Sequence, residues 1–168
     1  LPNEVQMLED LKTISNSTVF LFHITNYLSY FKDYNYSRYQ LLLHEFVEEL
    51  KFLAKNHFNK FYLESFHLGY LVINSIDKRV ITRIIEQSIK RFDKFALQIS
   101  ITQVSNGMNY DHVIKLRYLN SLTTKDNPYI FDNKNFRYNL ELAKTILINV
   151  NSLITGKYVP LEYQVVAD

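Results

Sequence analysis

The sequence predicts an all-α fold, an antiparallel helical bundle or short helical-repeat stack of about five to seven helices, with room for a minor two-stranded β element. Three observations carry that expectation. Apolar residues recur at helical spacing along most of the chain. Only 3 Gly and 3 Pro interrupt 168 residues. The 13 Tyr and 12 Phe supply large side chains for contacts between helices.

Asn3 is placed to cap a first helix from Glu4 to about Ser15, with Val5, Leu8 and Leu11 on one face and acids in the first turn, where the helix dipole favours them. A second helix is expected from Thr18 to Asp33, its face made of Phe20, Ile24, Tyr27, Leu28 and Phe31. Ser37 and Gln40 have capping-box spacing and open a third. Its buried stripe runs Tyr39, Leu42, Leu43, Phe46, Leu50, Leu53, Ala54, and Glu45, Glu48, Glu49, Lys51 and Lys55 face solvent.

Lys60 to Ser75 is apolar all round, which predicts a central helix with Gly69 permitting close approach of a neighbour. Asp77 caps a long helix carrying a heptad seam through Ile81, Ile85, Ser88, Phe92, Phe95 and Ile99. Asn106-Gly107 marks a stop and turn. Tyr110 to Leu122 forms a further helix, Thr123 to Asn135 a loop, and Phe136 to Ile154 a final helix with Gly156 just beyond its end. Leu97 to Thr102 and Val159 to Val165 alternate with period two. The first is read as continuing the preceding helix and the second as an extended tail, although the two together would make the minor β pair.

With 47% hydrophobic and 21% charged residues the chain has globular composition, and its length fits a single domain over residues 1–168. The opening Leu1-Pro2-Asn3 suits a domain excised from a longer protein. Zero Cys excludes disulfides, thiolate catalysis and Cys-based metal sites. Thr13 to Phe31 lacks charge but carries too many polar groups to span a membrane. Gly-rich phosphate loops and nucleophile elbows have no residues to form them.

Two motifs touch metal chemistry without completing it. Glu64-x-x-His67 has the spacing of a di-iron helix but no second copy, and His44-Glu45-Phe46-Val47-Glu48 ends in Glu where a zinc protease needs His. The five histidines, His23, His44, His57, His67 and His112, fall on different elements. No metal or cofactor is therefore expected, and Glu64 with His67 is the least poor acid–base pair for an enzyme with dispersed residues.

Residues 1–76 hold 6 basic and 8 acidic residues, and residues 77–168 hold 13 and 9, so positive charge gathers in the second half. Arg79, Arg83, Lys90, Arg91 and Lys94 make a basic helix face suited to phosphates or an acidic peptide. Glu86 within helical reach of Arg83 and Lys90 supports instead a self-neutralised surface. Tyr30, Tyr34, Tyr36 and Tyr39 crowd one inter-helix turn, as a contact surface would. The heptad seam of Ile81, Ile85, Phe92, Phe95 and Ile99 also suits a homo-oligomer.

These features predict a non-enzymatic scaffold or adaptor domain of a larger intracellular assembly that holds a protein partner. A nucleic-acid-binding domain using the basic helix is the alternative, and a dispersed-site enzyme the second.

Overall fold

The computed structural model describes residues 1–32 and 36–132. In chain order the elements are α1 (Glu4–Asp10), β1 (Ser17–Ile24), α2 (Tyr27–Lys32), α3 (Tyr36–Leu53), β2 (Asn59–Ser65), β3 (Leu68–Ile73), α4 (Lys78–Arg91), a 3₁₀ turn (Asp93–Phe95), β4 (Leu97–Val104), α5 (Tyr110–Leu122) and β5 (Tyr129–Phe131). The fold is mixed α/β, not all-α. Its five strands form one sheet in the order β2-β3-β1-β4-β5, antiparallel except where β4 and β5 run parallel.

The expected helix at Thr18–Asp33 is overturned by β1. Ser17 through Phe22 are all buried, because this central strand is covered on both faces and so reads as a continuous apolar run instead of an alternating one. The helical spacing of Phe20, Ile24, Tyr27 and Phe31 spans two separate elements. Thr25 and Asn26 part them, with the Thr25 hydroxyl donating to the Ala96 carbonyl at 2.7 Å and the Asn26 amide to that of Lys94 at 3.0 Å.

The same cause overturns the central helix at Lys60–Ser75, which is the β2–β3 hairpin. Its turn, Phe66-His67, contains none of the Gly, Pro, Asn or Asp that announce turns. Gly69 does serve close approach, but to a strand: a Cβ there would lie 2.4 Å from Cζ of Phe61, its diagonal neighbour on the same sheet face.

The long helix after Asp77 stops at Arg91. Asp77 caps it as expected, accepting from the Arg79 amide at 2.9 Å. Ala96 then takes a left-handed conformation (φ 49°) that turns the chain into β4, so Leu97–Val104 is strand and not helix continuation. The heptad seam is thereby cut in three. Ile81 and Ile85 on α4, Phe95 in the 3₁₀ turn and Ile99 on β4 are all buried within one core of this chain, with Phe92 packed against it. Nothing of that stripe remains for a second copy to cover except the half-buried Phe92.

Other expectations hold with shifted ends. Asn3 caps α1 by accepting from the Gln6 amide at 3.0 Å, though the helix ends at Asp10. α3 starts at Tyr36, which puts Ser37 inside the helix instead of at its cap, and its stripe of Tyr39, Phe46, Leu50 and Leu53 is buried as expected. Gly107 adopts φ 74° in the turn before α5, which spans Tyr110–Leu122. The helix at Phe136–Ile154 and the extended tail at Val159–Val165 lie outside the described residues.

Side chains alternate across the sheet and build two cores. Phe20, Phe22, Phe61 and Leu71 face α3 and α4, while Val19, Leu21, Tyr62 and Tyr70 face α1 and α5. Asn120 of α5 fixes that helix to the strands by donating to the carbonyls of Leu21 and Gln98 at 3.2 and 3.1 Å.

Candidate functional site

The candidate surface is an aromatic rim where α2, the start of α3 and the β2–β3 turn meet. Phe31 is its hub, with ring centroids 5.9 Å from Tyr27, 5.4 Å from Tyr36, 5.6 Å from Tyr39 and 5.2 Å from Phe66. Each offset or edge-on pair contributes about 0.5–1.5 kcal/mol beyond its buried area. The Tyr39 hydroxyl donates to the Phe66 carbonyl and ties the hairpin tip to α3. Burial pushes the Tyr39 phenol well above its usual range, so it stays a neutral donor.

α2 is only six residues long and is held from below by its leading segment. The Asn26 amide nitrogen donates to the Phe95 carbonyl at 3.2 Å, and the Ser29 hydroxyl donates back to Asn26 at 2.8 Å. Above these anchors Phe66 keeps 43% of its surface exposed and Tyr36 49%. The rim therefore offers apolar ring faces to solvent on a fixed base.

Of the four tyrosines singled out by sequence, Tyr36 is exposed on this rim and Tyr30 is half-buried against Tyr39 and Phe95. Tyr39 is fully buried and belongs to the core. Tyr34 lies outside the described residues. Tyr27, Phe31, Phe66 and His67 complete the rim and were not singled out together, because they come from one segment read as a single long helix and another read as a central one.

The basic residues divide by what they touch. Arg83 donates to the Leu53 carbonyl at the end of α3 at 2.8 Å, and Arg91 pairs with Glu49 of α3 at 2.5 Å. Both hold α4 to α3. Arg79 folds onto its own cap residue, Asp77, at 3.3 Å. Lys90 and Lys94 are exposed and form no ion pair among the described residues.

Glu64 and His67 turn to different neighbours. Glu64 lies 3.6 Å from Arg117, which also binds Glu4 at 2.6 Å, and Glu4 accepts from the Tyr70 hydroxyl at 2.8 Å. Burial and the nearby Glu4 raise the Glu64 carboxyl above its usual range. His67 instead stacks on Tyr27 with centroids 4.3 Å apart and lies 5.5 Å from the ring of His23. Burial makes both imidazoles less basic, and for His23 the neighbouring His67 adds to the effect.

The other histidines stay apart from this pair. His112 accepts from the Asn109 amide at 3.1 Å as half of the α5 capping box, and His44 is exposed on α3. Among the described residues no group of three or more His, Cys, Asp or Glu is placed to hold a metal ion. A separate cleft of about 500 Å³ opens at the end of β1, with Asn26, Asp93, Gln98 and Lys125 on its walls. Among the described residues no helix is long and apolar enough to cross a membrane.

No protein-family model and no curated protein matches the chain. Among solved structures it is similar to the Vibrio cholerae LapD S helix-GGDEF-EAL protein in its apo form, with a TM-score of 0.50 and 13% sequence identity. The match covers 77% of this chain and 33% of that one, so this chain spans about a third of its neighbour's length. At that identity the likeness is one of fold alone.

Proposed function

We propose that this domain is a non-enzymatic interaction module that holds a protein segment against the aromatic rim of α2, α3 and the β2–β3 turn. The observation that carries the reading is the exposure of Phe66 and Tyr36 above the half-buried ring of Phe31, which itself packs on the buried Tyr39. Aromatic groups held rigid by their neighbours present contact area at little entropic cost, and tyrosine adds a hydrogen-bonding end to an apolar body. The structural neighbour joins S helix, GGDEF and EAL parts in one chain, and an arrangement of linked modules is the setting in which such a surface would act.

The test is affinity capture with three forms of the tagged domain. One is wild type, one carries Phe66→Ala with Tyr36→Ala, and one carries Lys90→Glu with Lys94→Glu. Reversing Arg83 or Arg91 would instead loosen α4 from α3. The proposal expects a protein retained by wild type and the lysine variant and lost by the rim variant. Retention by all three forms would move binding off the rim. Recovery of nuclease-sensitive material that only the lysine variant loses would put nucleic acid in place of protein.

A further inference from the structure

We propose that His23 and His67 together bind one borderline transition-metal ion of the zinc, nickel or copper(II) class. The two residues come from elements far apart in sequence, the end of β1 and the β2–β3 turn, and the backbone fixes them side by side. The Ile24 amide donates to the His67 carbonyl at 2.8 Å, locking the turn to the strand end next to His23.

The ring spacing suits a shared ion. At a metal–nitrogen distance of about 2.0–2.1 Å the ion lies about 3.2 Å from each ring centroid, so two imidazoles at a near-tetrahedral angle have centroids about 5.2 Å apart. The observed separation is 5.5 Å, with the rings inclined at 58°.

His67 has the support that metal-binding histidines use. Its Nδ1 lies 3.1 Å from the Ser65 hydroxyl; with Nδ1–H donating there, Nε2 is the nitrogen that would take a metal, and Tyr27 stacked at 4.3 Å holds the ring plane. Both rings are only partly buried, so an ion can reach them.

The donor set selects the metal. Two imidazole nitrogens suit zinc, nickel and copper, whereas calcium and magnesium require oxygen ligands. Among the described residues no third His, Asp or Glu completes the site. Water would fill the remaining positions.

The experiment titrates Zn²⁺ into the whole chain at neutral pH, read by calorimetry and by the ring resonances of all five histidines. Binding of one ion is expected, with the His23 and His67 rings shifting together and His44 unmoved. His23→Gln and His67→Gln should each weaken binding by at least about tenfold, while Mg²⁺ produces no shift. Absence of binding, binding that survives both substitutions, or shifts confined to other histidines would overturn the proposal. The wild-type resonances decide the matter even if a variant fails to fold. The outcome is independent of the interaction reading, since metal can bind whether or not the rim holds a partner.

Discussion

On one side of the sheet Phe46 sits among four other rings, whereas on the other Tyr62 and Tyr70 reach beyond their apolar contacts to carboxylates at the two ends of α1. Phe46 lies 5.3 Å from Phe22, 6.4 Å from Phe61, 5.1 Å from Phe92 and 5.7 Å from Phe95. Tyr62 and Tyr70 are register partners on β2 and β3. The first donates to Asp10 at 2.8 Å beside Lys60, and the second to Glu4 at 2.8 Å beside Arg117. The difference follows from helix length. α3, at 18 residues, buries Tyr39, Phe46, Val47, Leu50 and Leu53 and so holds chiefly by packing, with Arg83, Arg91 and the Tyr39 hydroxyl adding polar ties. α1 has seven residues and buries Met7 alone within the helix, with Leu11 just after it. A helix so short is marginal without tertiary support, and here hydrogen bonds to charged groups supplement the packing.

The largest effect separating the two faces should come from Phe46→Ala, which empties the centre of the ring cluster. It is expected to cost about 3–5 kcal/mol in denaturant unfolding. Tyr70→Phe keeps the ring and removes the hydroxyl that reaches Glu4, so a loss of about 1 kcal/mol is expected in the same assay. If Tyr70→Phe cost as much as Phe46→Ala, the division into a packed face and an anchored face would fail.

A third prediction uses pH and is the smallest in total stability. Hydrogen bonds from Gln6, Lys60 and Tyr62 lower the Asp10 carboxyl from 3.8 to about 2. Because the folded value lies below the unfolded one, the contribution of Asp10 is fully present above about pH 4 and is lost as pH falls toward 2. Amide exchange in α1 should therefore rise in that window before exchange in α3 does, and Asp10→Asn should remove the pH dependence. Simultaneous opening of both helices would show that α1 is not separately anchored.

What the sequence revealed of this fold divides along the same line. Elements with one solvated face were legible: the stripe of α3, the Asp77 cap of α4, and α5 from Tyr110 to Leu122 all stand where periodicity placed them. The central strands were not, because a strand covered on both faces loses its period-two signature. Val19 faces α1 and α5 while Phe20 faces α3 and α4, so both are apolar and the run imitates a buried helix. The Leu97–Thr102 alternation was a true strand signal, outweighed by a heptad that crosses a left-handed Ala96. Of the rim, the tyrosines of one turn were visible, but the contributions of Phe66 and His67 depend on a hairpin that the sequence disguised.

The sheet order also sets how the chain must assemble. β1 leaves the ribosome before both of its partners, since Thr18 pairs with Ile73 and Ser17 with Val104. During synthesis the segment Val19-Phe20-Leu21-Phe22 therefore waits, both ladders open, for partners made much later. Topologies dominated by such distant pairings fold slowly, and an apolar β segment with unpaired edges is prone to aggregate meanwhile. The central strand that organises the finished domain is thus its greatest liability before completion, and a nascent chain ending ahead of β4 is the form in which chaperone dependence would be most pronounced.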